Sequence, residues 1–255
     1  MLFPNLITVL AICAGLSGIR LAFENRFETA VTMVLIAAFL DGVDGRMARA
    51  LKATSRFGAQ MDSLADIVNF GAAPAMVLYA FLLHGCGPIG WMAALIFAIA
   101  CGLRLARFNV LDEQTDRDLP AWQREYFVGV PAPAGALLVL LPAYLVFNGV
   151  VPWPAYAYAS AGFTIVIAVL MISRLPVWSA KTVSRRIPGE SFLPVILGVL
   201  VYVLLLINYP WITLTVSALA YLVFLPFSAL AYSRRAGHEE APRAQDEVVP
   251  DLGED

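Results

Sequence analysis

The sequence predicts an all-α integral membrane protein with about eight transmembrane helices and both termini on the cytoplasmic side. The chain has 255 residues, of which 60% are hydrophobic and only 14% are charged, whereas about a quarter of the residues in a soluble domain are charged. Its mean hydropathy is +0.76. A single soluble core of this length cannot bury so much apolar surface, so the predicted surroundings of most helices are the lipid bilayer.

The apolar residues fall into eight stretches, each close to the roughly 20 residues that a membrane-crossing helix needs. These stretches cover residues 4–23, 28–50, 58–83, 88–110, 130–148, 153–173, 191–208 and 211–232. Turn-forming sequences such as Asn148-Gly149 separate several of them. We therefore predict a membrane domain over residues 1–233. The remaining segment, 234–255, holds three arginines and seven acidic residues, which predicts a disordered acidic cytoplasmic tail.

The basic residues indicate the orientation because they gather in alternate connections. Most of them lie at or after the ends of spans two, four, six and eight, while the opposite side has Arg26 and Arg20. The residues at or after these span ends are Arg46, Arg49, Lys52 and Arg56; Arg104, Arg107, Arg117 and Arg124; Arg174, Lys181, Arg185 and Arg186; Arg234 and Arg235. The positive-inside rule places these connections in the cytoplasm. The expectation is a multi-pass protein of a bacterial-type cytoplasmic (inner) membrane. The overall charge does not suggest a nucleic-acid partner.

Four aspartates stand where spans two and three approach the cytoplasmic surface. Asp41 and Asp44 are three residues apart, and Asp62 and Asp66 are four apart, so each pair shares a helix face. Aspartate within a membrane helix costs about 2.5–3.5 kcal/mol on insertion scales, and a divalent cation offsets that cost. Four carboxylates form an all-oxygen site suited to Mg²⁺ or Mn²⁺, with enough ligands for two ions acting on a phosphoryl group.

Small and basic residues surround these aspartates. Glycine and alanine clear the helix surface so that a phosphate or nucleotide can approach the backbone, and arginine pairs with phosphate oxygens. The residues concerned are Gly42, Gly45, Ala48, Arg49, Arg56 and Gly58. An alternative is that the aspartates form ion pairs with nearby arginines that only fix the helices, and that the small residues only mediate helix packing.

The segment from Asp41 to Asp66 resembles the signature of the CDP-alcohol phosphatidyltransferase family, D-x2-D-G-x2-A-R-x8-G-x3-D-x3-D, at every fixed position. Pro4-Asn5 with Thr8 resembles the family's amino-terminal segment. Residues 62–75, 103–109 and 127–133 further resemble the phosphatidylserine synthase branch, the CDP-diacylglycerol–serine O-phosphatidyltransferases. Two departures from that branch are Ala11, where its pattern has Asn, and Asn69, where Ser is common.

The resemblance implies an activity and a role for each matching residue. The implied enzyme transfers a phosphatidyl group from CDP-diacylglycerol to L-serine and releases CMP, and it acts as a homodimer among membrane lipids. Asp41, Asp44, Asp62 and Asp66 would be metal ligands, with Asp66 also the catalytic base. The implied CDP-lipid site comprises Asn5, Thr8, Gly45, Ala48, Arg49, Arg56 and Gly58.

The acceptor is the part of the reaction on which the signature itself says nothing. Arg104, Arg107 and Asn109 are the candidates for binding serine, since arginine holds a carboxylate well; the alternative is that both arginines anchor a helix end at lipid headgroups. Glycerol 3-phosphate or inositol is the alternative acceptor. A cation transporter is a more remote alternative, and it would place acidic residues near the bilayer midplane and in both halves of the chain.

Overall fold

The computed structural model describes residues 2–50, 56–113, 126–173, 176–178 and 192–246. Its α-helices are α1 (Leu2–Phe23), α2 (Phe27–Ala50), α3 (Arg56–Asp66), α4 (Ala73–Phe81), α5 (Pro88–Glu113), α6 (Ala132–Val139), α7 (Leu141–Phe147), α8 (Tyr156–Ile172), α9 (Phe192–Asn208) and α10 (Pro210–Asp246). A π-helical turn (Ile67–Ala72) joins α3 to α4, and a 3-10 turn (Leu83–Cys86) precedes α5. Helical structure over each of the eight predicted stretches is thereby confirmed.

Several helices have the length and composition of membrane spans. Among the described residues, four segments are long and apolar enough to cross a membrane: Asn5–Phe23, Phe57–Phe81, Pro88–Val110 and Pro210–Ser228. Three shorter apolar segments cover Ala132–Phe147, Tyr156–Ile172 and Leu193–Asn208. On α9 every residue from Leu193 to Leu205 is exposed. An apolar helix that is exposed on all sides is typical of a helix surrounded by lipid. These features indicate an integral membrane protein.

The buried core draws on α1 and α2 as well as on the helices that follow them. α1 packs along α2, α5 packs against α8, and the π-helical turn contacts α1 and α5. Phe70, Leu78, Phe97, Leu138 and Ile167 are completely or almost completely buried between these elements. This core fixes α3 and the π-helical turn against α1, α2 and α5, and that arrangement positions the candidate site.

Proline explains why two predicted helices are interrupted. Pro74 has no N–H and its ring clashes with the carbonyl of residue 70, four residues earlier. The chain accommodates it by widening the helix, and the Ala73 N–H donates to the carbonyl of Val68, five residues back. The predicted helix over 58–83 is therefore three pieces. The helix predicted over 130–148 similarly divides at Leu140, just before Pro142.

The fold is helical, and the described residues also include one small β-ribbon. Strand β1 (Tyr126–Val128) pairs antiparallel with β2 (Pro176–Trp178). Both strands contain aromatic and β-branched residues, which favour extended backbone. Gly129 follows β1 with φ of 78°, and a Cβ there would lie 2.6 Å from the carbonyl oxygen of Met171, so glycine is required at this close approach.

The last helix extends past the predicted end of the membrane domain. α10 continues to Asp246, well into the segment 234–255 for which the sequence predicts disorder. Alanine, arginine and glutamate in residues 234–246 favour a helix, whereas Gly237 and Pro242 in the same stretch disfavour it, so local propensity alone does not account for the extension. Residues 247–255 lie outside the described part of the chain.

Candidate active site

Two neighbouring helices bring the four aspartates into one cluster. Asp41 and Asp44 lie on α2, and Asp62 and Asp66 lie at the carboxyl-terminal half of α3. Asp44 is only 3% exposed, while the other three are half-buried. The charges of Asp44 and Asp62 act on Asp41, and those of Asp41, Asp44 and Asp62 act on Asp66. The predicted convergence of the two carboxylate pairs is thus present in the folded chain.

Within this cluster, Asp41 and Asp66 are immediate neighbours, and the amide of Asn69 lies beside Asp41. One oxygen of Asp41 and one of Asp44, their Oδ1 atoms, are buried without a hydrogen-bond partner among the described residues. Buried carboxylate oxygens without partners are costly. A divalent cation is a group that would satisfy them, and their all-oxygen chemistry fits Mg²⁺ or Mn²⁺.

The carboxylates are close without forming a closed coordination shell. Over the described ranges, no three Asp, Glu, His or Cys side chains are arranged to hold a metal ion.

Helix α1 supports the cluster through one buried hydrogen bond. The hydroxyl of Thr8 donates to Oδ2 of Asp44 over 2.6 Å, and both residues are buried, at 5% and 3% exposure. A bond of this length to a carboxylate is charge-assisted. Thr8, predicted to contact the CDP-lipid, therefore bonds to one of the predicted metal ligands.

The other residues predicted for the CDP-lipid site lie on the same three helices. Asn5 on α1, Gly45 on α2 and Gly58 on α3 are half-buried. A Cβ at Gly42 would meet no described atom within 4 Å, which leaves open space beside the carboxylates. The side chains of Ala48, Arg49 and Arg56 lie outside the described part of the structure.

The three predicted acceptor residues on α5 have different surroundings. Arg104 is half-buried and interacts electrostatically with Asp66, and its Nε is buried without a hydrogen-bond partner in the described ranges. Arg107 is exposed. Asn109 is exposed and donates to the hydroxyl of Ser63 on α3 over 3.0 Å. The structure thus brings Arg104 to the cluster and does not bring Arg107 to it.

Two polar residues outside the predicted metal, CDP-lipid and acceptor sets belong to this region. Tyr221 on α10 lies near enough to Arg104 for their charges to interact, and its hydroxyl is buried without a partner among the described side chains. Asn69 lies in the π-helical turn beside Asp41. A polar side chain inside an apolar span is a signal of function, but only the folded chain reveals which partner each one faces.

Comparison with known proteins gives one consistent result. Residues 1–169 match the family model described as CDP-alcohol phosphatidyltransferase, and residues 190–226 match a second model, CDP-alcohol phosphatidyltransferase 2. A CDP-diacylglycerol–serine O-phosphatidyltransferase of Mycobacterium leprae (strain TN) is 41% identical over 243 residues, covering 94% of this chain and 78% of the relative. The enzyme of the same description from Bacillus subtilis (strain 168) is 39% identical over 139 residues, covering 54% and 73%.

A solved structure has a similar fold. The crystal structure of Mycobacterium tuberculosis phosphatidylinositol phosphate synthase in apo form superposes with a TM-score of 0.51 at 22% sequence identity, covering 66% of this chain and 84% of that one. At this identity the likeness concerns the fold alone.

Proposed function

The chain belongs to the CDP-alcohol phosphatidyltransferase family, and we propose that it is a CDP-diacylglycerol–serine O-phosphatidyltransferase of phospholipid biosynthesis. The observation that carries the proposal is the convergence of Asp41, Asp44, Asp62 and Asp66 from α2 and α3, with Arg104 reaching Asp66 from α5. Relatives of this chain that match over 94% of its length bear that activity in their names. The substrates are then CDP-diacylglycerol and L-serine, and the products are phosphatidylserine and CMP.

We propose that the four aspartates hold divalent cations, two Mg²⁺ or Mn²⁺ ions. The partnerless Oδ1 atoms of Asp41 and Asp44 support this assignment. When bound, such ions supply charge stabilisation to the phosphoryl oxygens and the leaving group. The aspartates orient the cations, and the open space at Gly42 admits the pyrophosphate of the CDP-lipid beside them.

The chain's own groups account for the proton and for the new bond. In the proposed reaction the Asp66 carboxylate accepts the proton of the serine hydroxyl as that oxygen bonds to the lipid-side phosphorus. The bond from this phosphorus to the bridging oxygen breaks, and CMP departs with the bridging oxygen and its electron pair. A hydroxyl is a poor nucleophile at neutral pH, so a carboxylate placed to remove the proton is needed.

The CDP-lipid site is proposed to lie along α1, α2 and the start of α3. Its residues are Asn5, Thr8, Gly45, Ala48, Arg49, Arg56 and Gly58. The small residues permit close approach of the nucleotide to the backbone, and the arginines neutralise phosphate oxygens. The bond from Thr8 to Asp44 links this site to the metal-binding aspartates.

Serine is proposed to bind against α5. Arg104 is the favoured group for the serine carboxylate, because its guanidinium lies near Asp66 and its Nε has no partner within the described chain. Tyr221 adds a hydroxyl next to it. Arg107 and Asn109 complete the predicted acceptor set. Asn109 acts through its bond to Ser63, and exposed Arg107 has the position of a lipid-headgroup anchor.

The distribution of basic residues supports eight membrane-spanning helices with both termini and the active site on the cytoplasmic side. The membrane is proposed to be a bacterial-type cytoplasmic membrane. We further propose a homodimer, as the family resemblance implies.

Two alternatives predict different chemistry. Glycerol 3-phosphate or inositol would place a phosphate or a polyol, in place of an amino acid carboxylate, against Arg104. A cation transporter would need acidic residues in both halves of the chain, whereas the four aspartates here occupy one place on two adjacent helices. The names of the relatives also favour phosphatidyl transfer to serine.

An acceptor screen tests the proposal. Purified full-length protein in detergent receives CDP-diacylglycerol, Mg²⁺ or Mn²⁺, and one acceptor at a time: serine, glycerol 3-phosphate or inositol. CMP release is expected with serine and with a divalent ion, and it should stop when a chelator is added. Release with another acceptor and none with serine would overturn the assignment of the acceptor. No release with any acceptor would overturn the proposed activity.

A further inference from the structure

Asn69 occupies an unusual position for an amide. Its side chain is completely buried, and neither Oδ1 nor Nδ2 has a hydrogen-bond partner among the described residues. It lies in the π-helical turn Ile67–Ala72, directly after Asp66. Buried amides are nearly always paired, and π-helical turns occur often at functional sites. An amide kept here without a partner therefore needs a functional explanation.

An unsatisfied carboxylate oxygen beside this amide explains its position. Asn69 lies beside Asp41, whose Oδ1 is also buried without a partner in the described structure. A donor and an acceptor that both lack partners thus stand next to each other. The π-helical turn determines this proximity, because a regular α-helix after Asp66 would rotate the side chain of residue 69 away from its present direction.

Gly15 on α1 provides the space for the amide. A Cβ built on Gly15 would lie 2.6 Å from Oδ1 of Asn69, while its next neighbour, the Cβ of Ala73, would be at an ordinary 3.7 Å. Asn69 is therefore held between α1 on one side and Asp41 of α2 on the other.

We propose that Asn69 is a positioning residue, which orients the Asp41 carboxylate for cation binding from the π-helical turn, and that Gly15 is required because it leaves room for this amide. The proposal rests on the proposed function, in which Asp41 is a metal ligand. When a cation binds, the unpaired Nδ2–H of Asn69 would donate to the neighbouring Asp41 carboxylate and so restrict it to one orientation. Groups that orient a metal ligand contribute about 10–100-fold to metal affinity or activity.

The first test replaces the amide with an apolar side chain of similar size. Asn69→Leu in the full-length protein in detergent is titrated with Mn²⁺, and the free ion is followed by electron paramagnetic resonance. Affinity for Mn²⁺ should fall about 10–100-fold while size-exclusion behaviour and thermal unfolding show a folded protein. Asn148→Leu is a control for the same substitution away from the cluster, because exposed Asn148 follows α7 and bonds to Thr215, on elements that carry none of the four aspartates. Unchanged Mn²⁺ affinity in folded Asn69→Leu would overturn the proposal.

The second test asks whether Gly15 acts through Asn69. Gly15→Ala should weaken Mn²⁺ binding in the wild-type background, where the new methyl group displaces the amide. In an Asn69→Ser background the shorter side chain leaves room, so adding Gly15→Ala should change the affinity by less than about twofold. Equal losses in both backgrounds would mean that the two residues act independently, and this result would contradict the proposal. This comparison stays informative even if Asn69→Leu fails to fold.

Asp41→Asn separates failure of this inference from failure of the proposed function. If Asp41→Asn loses Mn²⁺ affinity while Asn69→Leu keeps it, the metal site stands and the positioning role of Asn69 is wrong. If Asp41→Asn keeps its Mn²⁺ affinity, then Asp41 is not a metal ligand and both statements are wrong.

Discussion

Removal of the Thr8 hydroxyl should weaken the enzyme because that hydroxyl holds a carboxylate of the cluster. In Thr8→Val the side chain keeps its shape and loses its donor. Oδ2 of Asp44, which now accepts a bond of 2.6 Å from Thr8, would lose that partner in a site only 3% exposed. Asp44 Oδ1 already has no partner among the described residues, so the carboxylate would be less well satisfied and more mobile.

The size of the effect follows from the charge and burial of this bond. Side-chain hydrogen bonds between membrane helices average about 0.6 kcal/mol, with a maximum of about 1.7 kcal/mol. Bonds to charged groups contribute about 1.5–3 kcal/mol. A short, buried, charge-assisted bond belongs where these ranges overlap, at about 1.5 kcal/mol. Since about 1.4 kcal/mol corresponds to a factor of ten, kcat/KM should fall about tenfold.

The assay is steady-state CMP release from CDP-diacylglycerol and serine in detergent, together with thermal unfolding. Thr164→Val is the matched control: Thr164 is completely buried, but its hydroxyl donates to the Ser160 carbonyl within α8. Both variants lose one buried hydrogen bond, but only Thr8→Val should show the roughly tenfold fall in kcat/KM. Thr8→Ser should recover most of it. Equal kcat/KM values for Thr8→Val and Thr164→Val would refute the reasoning.

Three further variants test other parts of the structure. Asp66→Asn should lower turnover by at least about 100-fold, which is the usual contribution of a general base. Binding of CDP-diacylglycerol, measured by isothermal titration calorimetry, should persist in this variant. Near-normal turnover would exclude Asp66 as the base. Arg104→Met should raise the KM for serine about tenfold or more with a smaller change in kcat, because the variant removes a charge-assisted bond to the serine carboxylate. A change in kcat alone would contradict a role of Arg104 in binding serine. Gly90→Ala should prevent accumulation of folded protein, because the new Cβ would lie 1.9 Å from the Leu83 carbonyl oxygen. Gly102→Ala is the control and should be tolerated, because its Cβ would meet no described atom within 4 Å. Equal yields of folded protein from the two variants would show that the contact at Gly90 is not restrictive.

The positions of the four aspartates could be predicted because their arrangement is local. Residues three and four apart share a helix face whatever the rest of the chain does, and a short connection brings two consecutive helices together. The apolar stretches were predictable for a similar reason, since the thickness of the bilayer sets the length of a spanning helix. Gly42 and its small neighbours are also read directly from the sequence, but only the folded chain shows that no described atom would lie within 4 Å of a Cβ at Gly42.

The details of the cluster depend on contacts between segments that lie far apart in the sequence. Thr8 and Asp44 are 36 residues apart, and the spacing of the motif alone does not pair them. Tyr221 reaches Arg104 from a helix near the other end of the chain. Nothing in the composition of the last span distinguishes that tyrosine from one at a membrane interface.

The sequence by itself determined the membrane class, the helical segments and the pairing of carboxylates on two helix faces, because periodicity and hydrophobic length act over one or two turns of helix. Only the tertiary structure decided the π-helical turn at Pro74, the direction of Asn69 and the fit of its amide against Gly15. A proline can kink, break or widen a helix, and packing against α1, α2 and α5 selects among these outcomes. The tertiary structure thereby decides which polar groups face Asp41.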